Sequence, residues 1–220
     1  MKRYLLAMGV LLFAGVAAQP ALADSFFIVG SNNQAQVPCT PGAPCGEVTI
    51  TTSGNTATFV VSSLLSGYVF DTFGFNFTGA GTLSLTSFGG EVSSPTLGGS
   101  GNQDGFGSFT NIFDTGKNGG SSGGDCVVTA GVPGAGCTFN FTLTDSLPGN
   151  LTPAMFESIS SGGNGSGFYA GHLAAGNGNT GFVGDTEPTS TPTVPEPSSL
   201  MLLGTGALGA AGLIRRRFGH

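Results

Sequence analysis

The sequence predicts an all-β protein: an antiparallel β-sandwich, in one variant a jelly roll, with Gly-rich loops between short strands. Three observations predict it. Short runs with alternating or β-branched character recur along the chain and are separated by Gly, Asn, Ser and Pro clusters. The 18 Phe and frequent Val supply residues that fit a pleated, half-buried surface, and the 40 Gly supply the connections. Only 8% of residues are charged, which excludes a charge-driven disordered chain.

The N-terminus comes first. Lys2 and Arg3 form a basic start, Tyr4 to Ala18 is an apolar run, and Gln19-Pro20-Ala21-Leu22-Ala23 follows. Small residues at Ala21 and Ala23 place a cut before Asp24. This three-part pattern is a secretory signal peptide over residues 1–23, a substrate for the Sec translocon and signal peptidase.

Residues 24–186 form the exported domain. Strands are expected at Phe26–Val29, Glu47–Thr52, Thr56–Ser62, Tyr68–Phe77, Thr82–Phe88, Cys126–Ala130, Cys137–Leu143 and Gly181–Val183. Ser53-Gly54-Asn55 reads as the turn of a hairpin. One short helix is expected near Pro153–Ile159, and Ser93–Gly107 and Gly116–Gly124 read as mobile Gly-rich loops. Phe75-Asn76-Phe77-Thr78 recurs as Phe139-Asn140-Phe141-Thr142, two strands with Phe on one face and Asn and Thr on the other. Asn76, Asn140, Asn150 and Asn164 each open an Asn-x-Ser/Thr triplet, mostly by chance in so Asn- and Thr-rich a chain.

Four cysteines lie in this exported stretch: Cys39, Cys45, Cys126 and Cys137. An even count in an oxidising compartment favours disulfides. Of three connectivities, the preferred one joins Cys39 to Cys45 and Cys126 to Cys137. The rival is zinc, which asks for closer pairs and four convergent ligands; no metal is expected.

The C-terminus carries a second address. Residues 187–197 are a Pro/Thr-rich linker that ends in Val194-Pro195-Glu196-Pro197, a stretch that cannot be helix interior. Residues 198–214 are uncharged and rich in Leu, Gly and Ala, at the short limit of a membrane-spanning helix. Arg215, Arg216 and Arg217 follow in a basic tail, residues 215–220, which belongs on the cytoplasmic side and leaves the body outside.

Val194-Pro195-Glu196-Pro197-Ser198-Ser199, then the apolar span, then the arginine triplet, closely resembles the PEP-CTERM sorting signal. The resemblance covers about the last 27 residues of the sequence. It implies processing by exosortase, a membrane transpeptidase-like protease, with Pro195, Glu196 and Pro197 as substrate motif. It also implies an exopolysaccharide-producing Gram-negative host and residence in the envelope, the extracellular matrix or a biofilm. Middle regions of such proteins vary, so the tail transfers no molecular activity.

The body's own chemistry is sparse. Between Asp24 and Val194 there are eleven acids and one lysine, a net charge of about −10, which excludes nucleic acid as partner. His172 is the one histidine before the tail, with no visible base or metal cluster beside it. Gly119-Gly120-Ser121-Ser122-Gly123 fits G-x-S-x-G but lacks the strand and helix of a nucleophile elbow. Asn102-Gln103-Asp104-Gly105 with Asp114 lacks the full ligand series of a calcium loop. The expectation is therefore a non-enzyme without catalytic residues or cofactor, structural or adhesive within exopolysaccharide. A carbohydrate-binding module is the alternative, weakened by the absence of Trp. A hydrolase using His172 comes third.

Overall fold

The computed structural model describes residues 21–117 and 137–185. Thirteen strands run in chain order: β1 (Leu22–Ile28), β2 (Gly30–Ser31), β3 (Gly46–Ser53), β4 (Thr56–Ser63), β5 (Tyr68–Phe75), β6 (Leu83–Gly90), β7 (Thr96–Gly98), β8 (Gly101–Gln103), β9 (Gly107–Phe109), β10 (Asn111–Asp114), β11 (Thr138–Asp145), β12 (Tyr169–Ala175) and β13 (Thr180–Gly184). A five-stranded sheet has the order β1-β3-β4-β11-β6, and a six-stranded sheet the order β2-β13-β12-β5-β10-β7. The two pack face to face as an all-β sandwich, with β8 and β9 as a separate ribbon. Every strand pairing is antiparallel.

Period-two sequence becomes period-two burial. In β3, Val48, Ile50 and Thr52 point inward; in β11, Phe139, Phe141 and Leu143 do. The inward phenylalanines meet across the sandwich. Phe113 of β10 stacks on Phe141 at 4.2 Å and on Phe139 at 5.4 Å, and Phe59 of β4 stacks on the other side of Phe141 at 4.8 Å. Rings of this size bury most of the area that holds two small sheets together.

The outward face of the five-stranded sheet carries rows of hydroxyls, beside the exposed Phe27 and Val60. Thr51, Thr58, Thr142 and Ser87 lie in one register row across four strands. Thr58 and Thr142 hydrogen-bond at 3.0 Å, Ser62 and Thr138 at 2.9 Å, and Ser25 and Thr49 at 3.0 Å. Threonine suits such a face because its branched side chain fits the pleat and its hydroxyl faces water.

The expected hairpin between β3 and β4 turns on Gly54 and Asn55, with Ser53 opposite Thr56 and Gly54 at φ 58°. Other expectations are corrected. Ser93–Gly107 is not one loop: it holds β7, β8 and the first residue of β9. The ribbon they help form covers the outer face of the six-stranded sheet, where Phe106 and Phe109 close on Ala170. A Cβ at Gly74 of β5 would sit 2.9 Å from the Phe109 ring, so glycine there admits the ribbon. The helix near Pro153–Ile159 is a 3-10 helix over Pro153–Phe156. The repeated Phe-Asn-Phe-Thr takes two forms. The copy at Phe139–Thr142 is mid-strand, with both rings inward and Asn140 exposed. In the copy at Phe75–Thr78 the strand ends at Phe75. There Asn76 is buried, donating to the Ser158 carbonyl at 2.8 Å and accepting from the Thr110 N–H at 2.9 Å.

The strand at Cys126–Ala130, the G-x-S-x-G stretch at Gly119–Gly123 and the membrane segment at residues 198–214 lie outside the described residues. Among the described residues no helix is long and apolar enough to cross a membrane.

Candidate functional site

The expected Cys39–Cys45 disulfide is present, and both cysteines are fully buried. It closes the Thr40–Pro44 loop, within which Thr40 and Ala43 exchange backbone hydrogen bonds at 3.1 and 2.9 Å. Gln34 clamps the same point, accepting from the Cys39 N–H at 3.1 Å and donating to its carbonyl at 2.6 Å. Cys137 is disulfide-bonded too, and the remaining cysteine, Cys126, lies outside the described residues.

Of the cleavage-site residues, Ala21 precedes the first strand, while Ala23 and Asp24 lie within β1, opposite Thr51 and Ile50. Val194, Pro195, Glu196, Pro197, Arg215, Arg216 and Arg217 are all outside the described residues.

His172 is less isolated than its sequence suggests. The β5–β12 register passes over Asp71, pairing Thr72 with His172 and Phe70 with Leu173. Such a bulge re-aims a side chain. Asp71 Oδ2 lies 3.0 Å from His172 Nδ1, and the Thr180 hydroxyl of β13 contacts Nε2 on the opposite side of the ring. The Phe182 ring lies 4.7 Å from the imidazole. A carboxylate, an imidazole and a hydroxyl are thus threaded across β5, β12 and β13. The order is that of an acid–base relay, and the same contacts tie three neighbouring strands side by side.

A second assembly collects acids at the other face of β12. Asp185, just beyond β13, accepts the Tyr169 N–H at 2.9 Å and the Phe168 N–H at 3.1 Å. Burial pushes its carboxyl up to about 7 in spite of those bonds. Glu157, after the 3-10 helix, is also pushed up to about 7, first by burial and then by the Asp24 carboxyl beside it. The Tyr169 hydroxyl is fully buried with no hydrogen-bond partner, and its phenol is pushed up by burial and then by Glu157, Asp185 and Asp24. These acids carry no signal in the sequence. The contact that joins Asp24 to Glu157 spans more than a hundred residues, and no local pattern announces it.

A cleft of about 580 Å³ opens beside the disulfide, lined by Asn32, Gln34, Thr40, Phe106, Asn164 and glycines, with no charged side chain. Its amides are largely engaged: Asn32 accepts from the Phe182 N–H at 2.9 Å, and Gln34 holds Cys39. Among the described residues no group of three or more His, Cys, Asp or Glu is placed to hold a metal ion. Asp104 meets Asn32 at 3.3 Å, and Asp114 accepts from the Gly116 N–H at 2.7 Å.

Body and tail together define a class: a β-sandwich whose sequence continues into a C-terminal sorting address. That address is a PEP-CTERM protein-sorting motif, matched over residues 193–217. The motif implies a secreted, exosortase-processed protein associated with the cell envelope. No curated protein and no solved structure matches the chain.

Proposed function

We propose that the chain is a non-catalytic envelope or extracellular-matrix protein of a Gram-negative bacterium, structural or adhesive within exopolysaccharide or biofilm. Its leader, residues 1–23, takes it through the Sec translocon and is removed by signal peptidase. Residues 198–214 hold it in the inner membrane until exosortase acts near Pro195-Glu196-Pro197. The sorting motif at residues 193–217 carries this reading.

The hydroxyl rows support the matrix role. Among the described strands of that face Glu47 is the one charged residue, so most of the body's acids lie elsewhere. A hydroxyl-rich plane with a single carboxylate can exchange hydrogen bonds with polysaccharide while desolvating little charge. A carbohydrate-binding module is the second reading, favoured by the uncharged cleft beside the disulfide.

Mass spectrometry of the mature protein from its host tests the sorting claim. The expected chain lacks residues 198–220, and the same residues stay attached in a strain without exosortase. A tail left intact in the wild-type host overturns the reading.

A further inference from the structure

Three side chains from separate elements converge where the first strand begins. Asp24 comes from β1, Glu157 follows the 3-10 helix, and Tyr169 opens β12. The Asp24 carboxyl lies within hydrogen-bonding reach of Glu157, and both repel ionisation of the Tyr169 phenol. Yet the group is incomplete. Glu157 Oε1 and the Tyr169 hydroxyl are buried without a partner, and so is the hydroxyl of Thr52, which shares the inner face of β3 with Ile50, opposite Asp24. A proton shared between the two carboxyls satisfies one link and leaves the rest orphaned, which is costly in a buried site. A positively charged group with several N–H donors would satisfy these oxygens together. The body has no side chain to give: the one described lysine, Lys117, is paired with Glu91 at 2.9 Å, and His172 with Asp71.

We propose that this pocket is the seat of the mature chain's own α-ammonium group, created when the leader is cut between Ala23 and Asp24. The inference rests on that cut, part of the function proposed above. Hydrolysis adds one water across the peptide bond: Ala23 departs as a carboxylate, and the Asp24 nitrogen gains the protons of an ammonium. That nitrogen is two covalent bonds from the Asp24 Cβ, so the charge arises on the residue whose carboxyl already meets Glu157. Leu22 and Ala23 are shed, and with them their pairing to Thr52 and Thr51. The new ammonium donates to Glu157 and can reach the phenol oxygen. Processing thereby exchanges two terminal strand pairs for an ion pair and fixes the end of β1.

The pH dependence follows from the groups facing Glu157: Asp24 on β1, Tyr169 on β12 and, behind Tyr169, Asp185. Without the ammonium, Glu157 is held well above its ordinary value, so its contribution to stability is full under acid conditions and is lost as pH rises through about 7. With the ammonium in place Glu157 ionises at lower pH, and the loss disappears. The amine, in turn, keeps its proton above the ordinary range of about 7.7–8.0.

The test uses full precursors exported from one host: wild type, Glu157→Gln, and a variant with Gly-Ser inserted after Ala23, each with its mature N-terminus read by mass. At neutral pH the wild-type α-amine is expected to acylate roughly tenfold more slowly than that of Glu157→Gln, the change one pKa unit produces. The insertion variant's thermal midpoint is expected to fall further than wild type's between about pH 5 and about pH 8, and Glu157→Gln made in the insertion variant removes that difference. Equal acylation rates in wild type and Glu157→Gln overturn the proposal, even if the insertion variant fails to accumulate. A mature chain starting elsewhere than Asp24 also overturns it, but through the leader assignment, which the mass distinguishes.

Discussion

At the scale of single residues, burial decides which polar groups matter. Asp185 shows this most clearly: a carboxyl enclosed by the sandwich, held by two backbone N–H groups, and still pushed up to about 7. Its folded-state value lies above its unfolded value. The stability it leaves is therefore complete below about pH 4 and is lost as pH rises through 7. Asp185→Asn is expected to lower stability at pH 5 by about 1–3 kcal/mol, because an amide offers one acceptor where the carboxyl offered two. The same substitution flattens the decline between about pH 5 and about pH 8, as denaturant midpoints across that range will show. None of this was legible from sequence. Asp185 stands in Val-Gly-Asp-Thr, a stretch that looks like any exposed turn, and its environment exists only once β12 and β13 are paired. His172 is similar: its carboxylate, Asp71, is 101 residues away and is aimed at the ring by a bulge that no local pattern announces.

At the scale of elements, legibility followed one-sidedness. β3, β4 and β11 each bury one face, so their alternation survives in the sequence and their positions were foreseen to within a residue or two. β12 was missed because it is covered on both sides. Its Tyr-Ala-Gly-His-Leu-Ala-Ala lacks β-branched residues, and small side chains are what the overlying ribbon leaves room for. The ribbon itself was read as loop because strands of three residues with glycine carry no period. The Cys39–Cys45 link was readable, since the spacing fits a small Pro-Gly loop. Removing it by Cys39→Ser with Cys45→Ser is expected to cost about 2 kcal/mol by the loop-entropy relation, measurable as a lower chemical-denaturation midpoint. Gln34 then loses a fixed partner, so protease cutting should concentrate in the Thr40–Pro44 loop.

At the scale of the whole molecule, body and address are separable. Among the described residues the core is built from both sheets, and the sorting motif lies apart from them in sequence, at residues 193–217. Residues 187–220 grafted onto an unrelated exported domain are therefore expected to bring about exosortase-dependent trimming, visible as a mass shift that vanishes in an exosortase-deficient strain. Retention of the full graft in the competent strain would show that the body takes part in recognition.

The last strand adds a mechanical corollary. At Val183 and Gly184 the chain is bonded to β12 on one side and to β2 on the other, just before the sequence runs toward its sorting motif. Traction applied to the C-terminal end of the sandwich thus enters a strand flanked by two neighbours, which cannot be peeled away as a free border can.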